Sequence, residues 1–453
     1  MPSSRAVITG LGIVSAIGIG CDEYFDALLN GQSGVRSLAE RTDEGAKPSD
    51  EPADLASAHA GLWIGAPIID FDPKQYVRPR KALKVMCREI QTAFAASQLA
   101  IEKAGLESSL PASADSPITP SRVGTVFGGE MYFGPPEDMV EPIQECIESD
   151  GQIKVGKFGA AARRGVMPLW MLKYLPNMPA CHIGISVNAH GPNNSLILGD
   201  VSGPAALIEA ISYLNRDLCD VVITGATGTL INSTRMNYRN DLPLPKVADP
   251  IANSSRPHSL DSQGVVGGEA ATGMVVETAE HASQRGAAVV AQIVACVSRF
   301  SPAEVMSHGD RQSSQNGSVG RGSAAAIRLA IDAAFKQAGI SAEQIGLIVS
   351  HGSGDAELDA AERTALATDL QSVPMIAPMA SVGHTGAASG AIGIATAAMV
   401  IQRQLIPPPL SADGANDVNL QSKATALEKE FVLCLAHTPE GNATAVILNA
   451  PSL

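Results

Sequence analysis

The chain has 453 residues, 46 acidic against 32 basic, and a formal net charge of −14. That balance argues against general nucleic-acid binding, and the length exceeds one small core, so two or three units of about 150 residues are expected. Apolar residues make up 45% and aromatics only 4%, with 43 glycines, which favours helices packed closely on sheets over an aromatic-lined binding face. Seven cysteines (Cys21, Cys87, Cys146, Cys181, Cys219, Cys296 and Cys434) are scattered singly. With no Cys-x-x-Cys pair, neither a zinc motif nor a disulfide framework is expected, and a reducing cytoplasm fits.

In chain order, Arg5 to Gly20 (RAVITGLGIVSAIGIG) reads as a strand and a glycine-rich turn. Its four interrupting glycines argue against an export signal. Asp22 is expected to cap a short helix ending at Gly31. Residues 43–60, acidic and rich in Pro, Ser and Ala, read as a surface loop. A long helix is expected over Lys81 to Gly105, and a strand into a glycine turn over Arg122 to Gly129. Residues 136–148 read as a helix, and KVGKFGAAARR as a basic loop. Cys181, in ACHIGI, falls in an apolar run that reads as a strand, with a buried thiol.

The stretch Ser195 to Gly228 organises the rest. It reads as a short apolar strand, a tight turn at Gly199-Asp200, a helix from about Gly203 to Asn215, and a buried strand from Val221 to Gly225. Leu207, Ile208, Ile211 and Leu214 carry the helical spacing. A side chain between a buried strand and a helix start is held rigidly beside unpaired backbone N–H groups, which is a place for a nucleophile. Asp200 stands there. Its plainest role is an N-cap.

The second half repeats the plan. Ala288 to Arg299 reads as a strand, residues 301–323 as a polar loop, Ala324 to Gly339 as a helix and Ile345 to Ser350 as a strand ending at His351. Ser381 to Arg403 holds a turn, His384 and a long small-residue helix. Phe431 to Leu435 and Ala443 to Leu448 are closing strands. The run Gly386 to Ile401 falls short of the roughly 18 apolar residues of a membrane span. Asp200 and His384 thus occupy comparable places in two similar halves.

These motifs resemble those of the β-ketoacyl-(acyl carrier protein) synthases, the condensing enzymes of fatty-acid and polyketide synthesis, along nearly the whole chain. Gly191-Pro192 leads into the turn as the family's Gly-Pro does, and the family's acyl-accepting Cys falls on Asp200. His351 in SHGSGD resembles the family's His-Gly-Thr motif, and His384 in SVGHTG its Gly-His motif. The resemblance implies a thiolase-like α/β fold. Its two related halves, residues 1–279 and 280–453, would form five α-β-α-β-α layers, with cap insertions at about 40–60 and 130–180. It implies Asp200, His351 and His384 as the central site, and no cofactor. Ser353 and Asp355 fall where hydroxyls hold the pantetheine arm. Thr438 and Pro439 fall in the loop that gates the acyl pocket, where only Asn442 matches. Met379 replaces a family Lys, and Glu269 matches a structural Gly-Glu motif. Arg78, Arg80, Lys81 and Lys84 fall where acidic acyl carrier proteins dock, with Lys154, Lys157, Arg163 and Arg164 as a second basic group.

A thiolate at a helix N-terminus is both a nucleophile and a leaving group. A carboxylate is a weak nucleophile, and its acyl adduct would be a water-sensitive anhydride. The expectation is therefore a protein that does not condense by itself. It would act like a chain-length factor, as a homodimer or as a heterodimer with a Cys-bearing ketosynthase, with acyl or malonyl carrier protein as partner. Malonyl-thioester decarboxylation by His351 and His384 is one alternative. A divalent metal held by Asp200, His351 and His384 is another.

Overall fold

The computed structural model describes residues 6–38, 63–132, 134–232, 242–259, 264–303, 320–408 and 423–451, with the backbone alone of 419–420. The loops expected at 43–60 and over most of 301–323 lie outside them.

Ten strands carry the architecture. Those of the first half are β1 (Ala6–Ser15), β2 (Val123–Gly128), β3 (Asn193–Leu196), β4 (Val221–Thr229) and β5 (Gly267–Thr278). Those of the second are β6 (Ala291–Phe300), β7 (Ile345–Val349), β8 (Pro374–Ile376), β9 (Phe431–His437) and β10 (Asn442–Asn449). The first five lie in the order β3-β2-β4-β5-β1 and the second five in the order β8-β7-β9-β10-β6. This is one topology used twice. In each half the second strand runs parallel to the third and fourth, and the fourth, fifth and first are antiparallel. The halves join edge to edge where Ala6 to Ile8 pair with Ala291 to Ile293.

The helices used below are α1 (Cys21–Leu29), α2 (Arg88–Lys103), α3 (Met178–Val187), α4 (Ser202–Asn215), α5 (Ala324–Ala338), α6 (Ala356–Leu366) and α7 (Ser389–Arg403). Helices α4 and α7 form the middle layer. One core cluster joins Leu207, Ile392 and Val400 to strand residues of both halves, among them Val222 and Val432. Helices α2 and α3 cover the outer face of the first half, and α5 the outer face of the second. The result is five layers. The central helices approach so closely that a Cβ on Gly203 would lie 2.6 Å from the Ala391 Cβ. Small residues in α7 make this possible, which explains the Gly, Ala and Thr content of that run.

Several local expectations change. Cys181 lies on helix α3, not a strand, and is only partly buried; apolar run and helix cannot be told apart by periodicity over so few residues. The basic segment at 154–164, expected as a loop, is helical from Phe158 onward, in the helix Phe158–Gly165. Asp22 sits in the first turn of α1 rather than capping it, because Gly20 occupies the cap. The long helix begins only at Arg88, after a 3₁₀ turn over Arg80–Val85. Among the described residues no helix is long and apolar enough to cross a membrane.

Candidate functional site

The site forms where the middle layer meets the strand ends. Strand β3 ends at Leu196, Gly199 takes φ +61°, and α4 starts at Ser202. Asp200 is not the cap. Val201 holds that position, and the Ser202 hydroxyl closes the turn by donating to the Gly199 carbonyl at 2.6 Å. The carboxylate is therefore left free to point at the second half.

His351 follows β7, and the Ser350 N–H that precedes it donates to the Ile376 carbonyl on β8. His384 precedes α7, and its backbone is stitched to the first half. Its N–H donates to the Val266 carbonyl at 2.7 Å, and its carbonyl accepts from the Gly268 N–H at 2.8 Å. Backbone bonds thus fix the strand end before His351 and tie the turn that carries His384 to the first half.

The three side chains converge. Asp200 Oδ2 lies 3.4 Å from His351 Nε2 and 3.3 Å from His384 Nε2. The imidazoles meet edge to face, with ring centres 5.5 Å apart. Both rings are buried, and the Asp200 side chain is 13% exposed. Burial pushes the Asp200 carboxyl up, but the attraction of His384 and His351 outweighs it and holds the group well below the usual carboxylate range. Asp200 is an anion at neutral pH. The contact to His351 is a close approach without hydrogen-bond geometry, since neither ring nitrogen of His351 has a hydrogen-bond partner among the described residues.

The tautomer of His384 follows from its neighbour. The Gly386 N–H donates to Nδ1 at 3.2 Å, so Nδ1 is unprotonated and the proton sits on Nε2, facing Asp200. Asp200, His351 and His384 are spaced as a metal triad would be, with ligand atoms within 4.8 Å of one another. Coordination through Nε2 of His384 needs that nitrogen bare and the proton on Nδ1, where the Gly386 N–H already points. The arrangement is that of a hydrogen-bond donor rather than a ligand.

The other expected residues fall around this centre. Ser353 and Asp355 are both buried and already engaged. The Asp355 carboxylate caps α6 by accepting from the Glu357 N–H and pairs with Arg321 Nε at 2.5 Å. The Ser353 hydroxyl faces Asp359 Oδ1 at 3.3 Å. Thr438 lies against the turn that carries Asp200, 3.6 Å from where a Cβ on Gly199 would be, and its loop with Pro439 is closed by bonds between Thr438 and Asn442. Arg78, Arg80, Lys81 and Lys84 are exposed on and beside the 3₁₀ turn and make no ion pair among the described residues. In the second basic group, Lys154 and Lys157 pair with Glu148, and Arg164 with Glu145. Glu269 is structural, held by Arg88 and by the Ile68 N–H.

Three residues near the site, Glu362, His437 and His258, were not singled out for chemistry by sequence. Glu362 on α6 is buried, 3.1 Å from His437 Nε2 and 3.8 Å from His258 Nε2. The spacing Asp355, Asp359, Glu362 places three acids on one helical face beside His351, which is the signal that could have found this cluster.

Known proteins are similar to this chain along nearly its whole length. The N-terminal domain model of the β-ketoacyl synthases matches residues 3–282 and the C-terminal domain model residues 302–413. A 3-oxoacyl-[acyl-carrier-protein] synthase 2 of Vibrio cholerae is 27% identical over 92% of this chain and 91% of its own length. A putative polyketide β-ketoacyl synthase 2 of Streptomyces halstedii is also 27% identical, over 98% and 97%. Among solved structures, the ishigamide ketosynthase/chain length factor superposes with TM-score 0.77 at 21% identity, over 99% of this chain and all of that one. A β-ketoacyl synthase from Burkholderia phymatum gives 0.76 at 23% over the same shares.

Proposed function

The chain belongs to the β-ketoacyl synthase family, and from that premise we propose that it is a non-condensing member acting as a chain-length-factor-like subunit beside a Cys-bearing ketosynthase. One observation carries the reading. Asp200, which the motif resemblance sets where the family's acyl-accepting thiol stands, is an ionised carboxylate, and both imidazoles that would stabilise an enolate already face it. No covalent acyl adduct survives on such a group, and the electrostatic stabilisation of developing negative charge is already taken up by a resident one.

A partner subunit has a place to sit. Among the described residues, strand β3 is the free edge of the first half, and exposed Ile185, Ile197 and Leu198 lie on or beside it. An unpaired edge flanked by apolar side chains is a surface for a second chain. Acyl carrier protein is the second partner, met by the exposed Arg78, Arg80, Lys81 and Lys84; a type II carrier protein has been seen complexed with its ketosynthase in a structural relative. Two related α/β halves, divided near residue 280, form the subunit.

Malonyl decarboxylation is the weaker reading, because an ionised Asp200 repels the malonyl carboxylate at close range. One incubation tests both. The purified chain is given acyl- and malonyl-carrier protein and followed by intact-mass spectrometry. The expected result is no extended product and no adduct on residue 200. Asp200→Cys is expected to gain an acyl adduct. An extended β-ketoacyl product from the unaltered chain by itself overturns the proposal, and acetyl-carrier release turns it toward decarboxylation.

A further inference from the structure

Residues 254–259 belong to the first half, ahead of β5, yet they bond to the second. The Ser255 hydroxyl donates to the Met379 carbonyl at 2.8 Å. The His258 N–H donates to Asp359 Oδ2 at 2.8 Å, and His258 Nε2 meets the Ser350 hydroxyl at 2.6 Å. All five of these residues are buried.

These contacts bracket both turns that carry the imidazoles of the site. Ser350 immediately precedes His351. Asp359 takes the chain just after it, accepting from the Ser353 N–H at 2.8 Å and the Gly354 N–H at 3.2 Å. Between them lies Gly352, where a Cβ would come within 2.9 Å of the Pro257 Cβ and 3.2 Å of His258 Nε2. Met379 opens the short helix Met379–Val382, which ends two residues before His384. Its carbonyl accepts from the Gly383 N–H as well as from Ser255.

The backbone of this segment is strained. His258 takes φ +61°, a left-handed conformation that a residue with a Cβ adopts at a cost and that glycine usually occupies. Such a residue persists only where its surroundings over-determine it. Here both its N–H and its ring are held by the second half, and its ring is fully buried.

We propose that residues 255–258 are a strap in which His258 and Ser255 act as positioning residues, holding the His351 turn and the His384 turn at a fixed separation in front of Asp200. His258 grips the first turn on both flanks, directly at Ser350 and through Asp359 at Ser353 and Gly354. Ser255 anchors the start of the segment that leads to His384. Val266 and Gly268 already tie His384 to the first half. The strap ties His351 to the same stretch of chain, so the two imidazoles share one support. It would hold the site in the same way in a condensing or a non-condensing subunit.

The test is hydrogen–deuterium exchange of the full chain, read by mass spectrometry, with His258→Gly and Ser255→Ala. Glycine keeps the left-handed backbone and the N–H to Asp359 and removes only the ring. In the unaltered chain, residues 350–354 are expected to exchange slowly, and fast exchange there overturns the proposal without any variant. In His258→Gly, exchange is expected to rise about tenfold at 350–354 while β1 and α2 stay protected, the mark of a local opening. In Ser255→Ala the rise is expected at 380–386. Each substitution is then combined with Asp200→Cys, and alkylation of residue 200 by iodoacetamide at pH 7 is followed by peptide mass spectrometry. A thiol beside imidazoles at a helix start reacts as its thiolate, so displacing the turns is expected to slow alkylation about tenfold. Exchange that rises uniformly along the chain, or a local rise with an unchanged alkylation rate, overturns the proposal, because the strap would then support the fold and not the site.

Discussion

Two buried carboxylates, Glu277 at the end of β5 and Asp200 at the site, are both held below the ordinary range by cationic or donating neighbours. Their surroundings differ in kind. Glu277 is saturated: Arg285 Nε donates at 2.8 Å and a second guanidinium nitrogen at 2.6 Å, His281 Nδ1 lies at 2.6 Å, and the Thr9 hydroxyl donates as well. Asp200 has imidazole partners at 3.3 and 3.4 Å, and one of them has both ring nitrogens without a hydrogen bond among the described residues. A carboxylate that serves the fold closes every lone pair at short range. One that serves a site is left incomplete, at a distance that a ligand or a small movement can change.

The largest expected effect breaks the saturated corner. Glu277→Ala leaves Arg285 without its buried anion and is expected to cost about 3–5 kcal/mol, read by urea unfolding. A loss below about 1 kcal/mol would show that the corner is not structural and collapse the contrast. The same group gives a pH dependence. Its folded value is about 2 against an ordinary 4.5, so its contribution is complete above pH 4.5 and is lost as pH falls from there toward 2. That contribution is on the order of 3 kcal/mol, and Glu277→Gln is expected to flatten the acid limb of the stability curve by this amount.

Asp200→Asn is expected to cost about 1–2 kcal/mol, less than Glu277→Ala, since the amide oxygen can still accept from His384 and no buried guanidinium is left unpaired. A loss as large as that of Glu277→Ala would place Asp200 with the structural carboxylates. The smallest effect serves as calibration. Arg122 pairs with Asp217 and Asp220, whose side chains are 89% and 34% exposed, so Arg122→Ala is expected to cost less than about 1 kcal/mol.

Much of the fold is legible in the chain. Strands buried on both faces read as short apolar runs, α4 and α5 are found nearly to the residue by apolar spacing, and α7 is found within Ser381 to Arg403 by its small-residue content. The run ACHIGI around Cys181 reads as a strand and folds as part of α3, because an apolar run of that length satisfies both alike. Of the site, Asp200, His351 and His384 are legible through their motifs. Glu362 and His258 are not. Glu362 shares a helical face with Asp355 and Asp359, which marks it locally, but its contact with His437 spans 75 residues of chain and His258 reaches it from another element, so the pairing itself has no local signal.

By itself, the sequence determined which chemical groups are present: a carboxyl in a tight turn before a helix, two imidazoles in recognisable turns, and two halves with similar punctuation. Only the tertiary structure decided what those groups do to one another. The Gly386 N–H sets the tautomer of His384, Val201 in the cap position releases Asp200 from helix capping, and the pairing of β9 with β7 sets His437 against His351. Protonation and charge depend on distances of a few ångströms between residues remote in the chain, and those distances exist only once both halves have closed around the central helices.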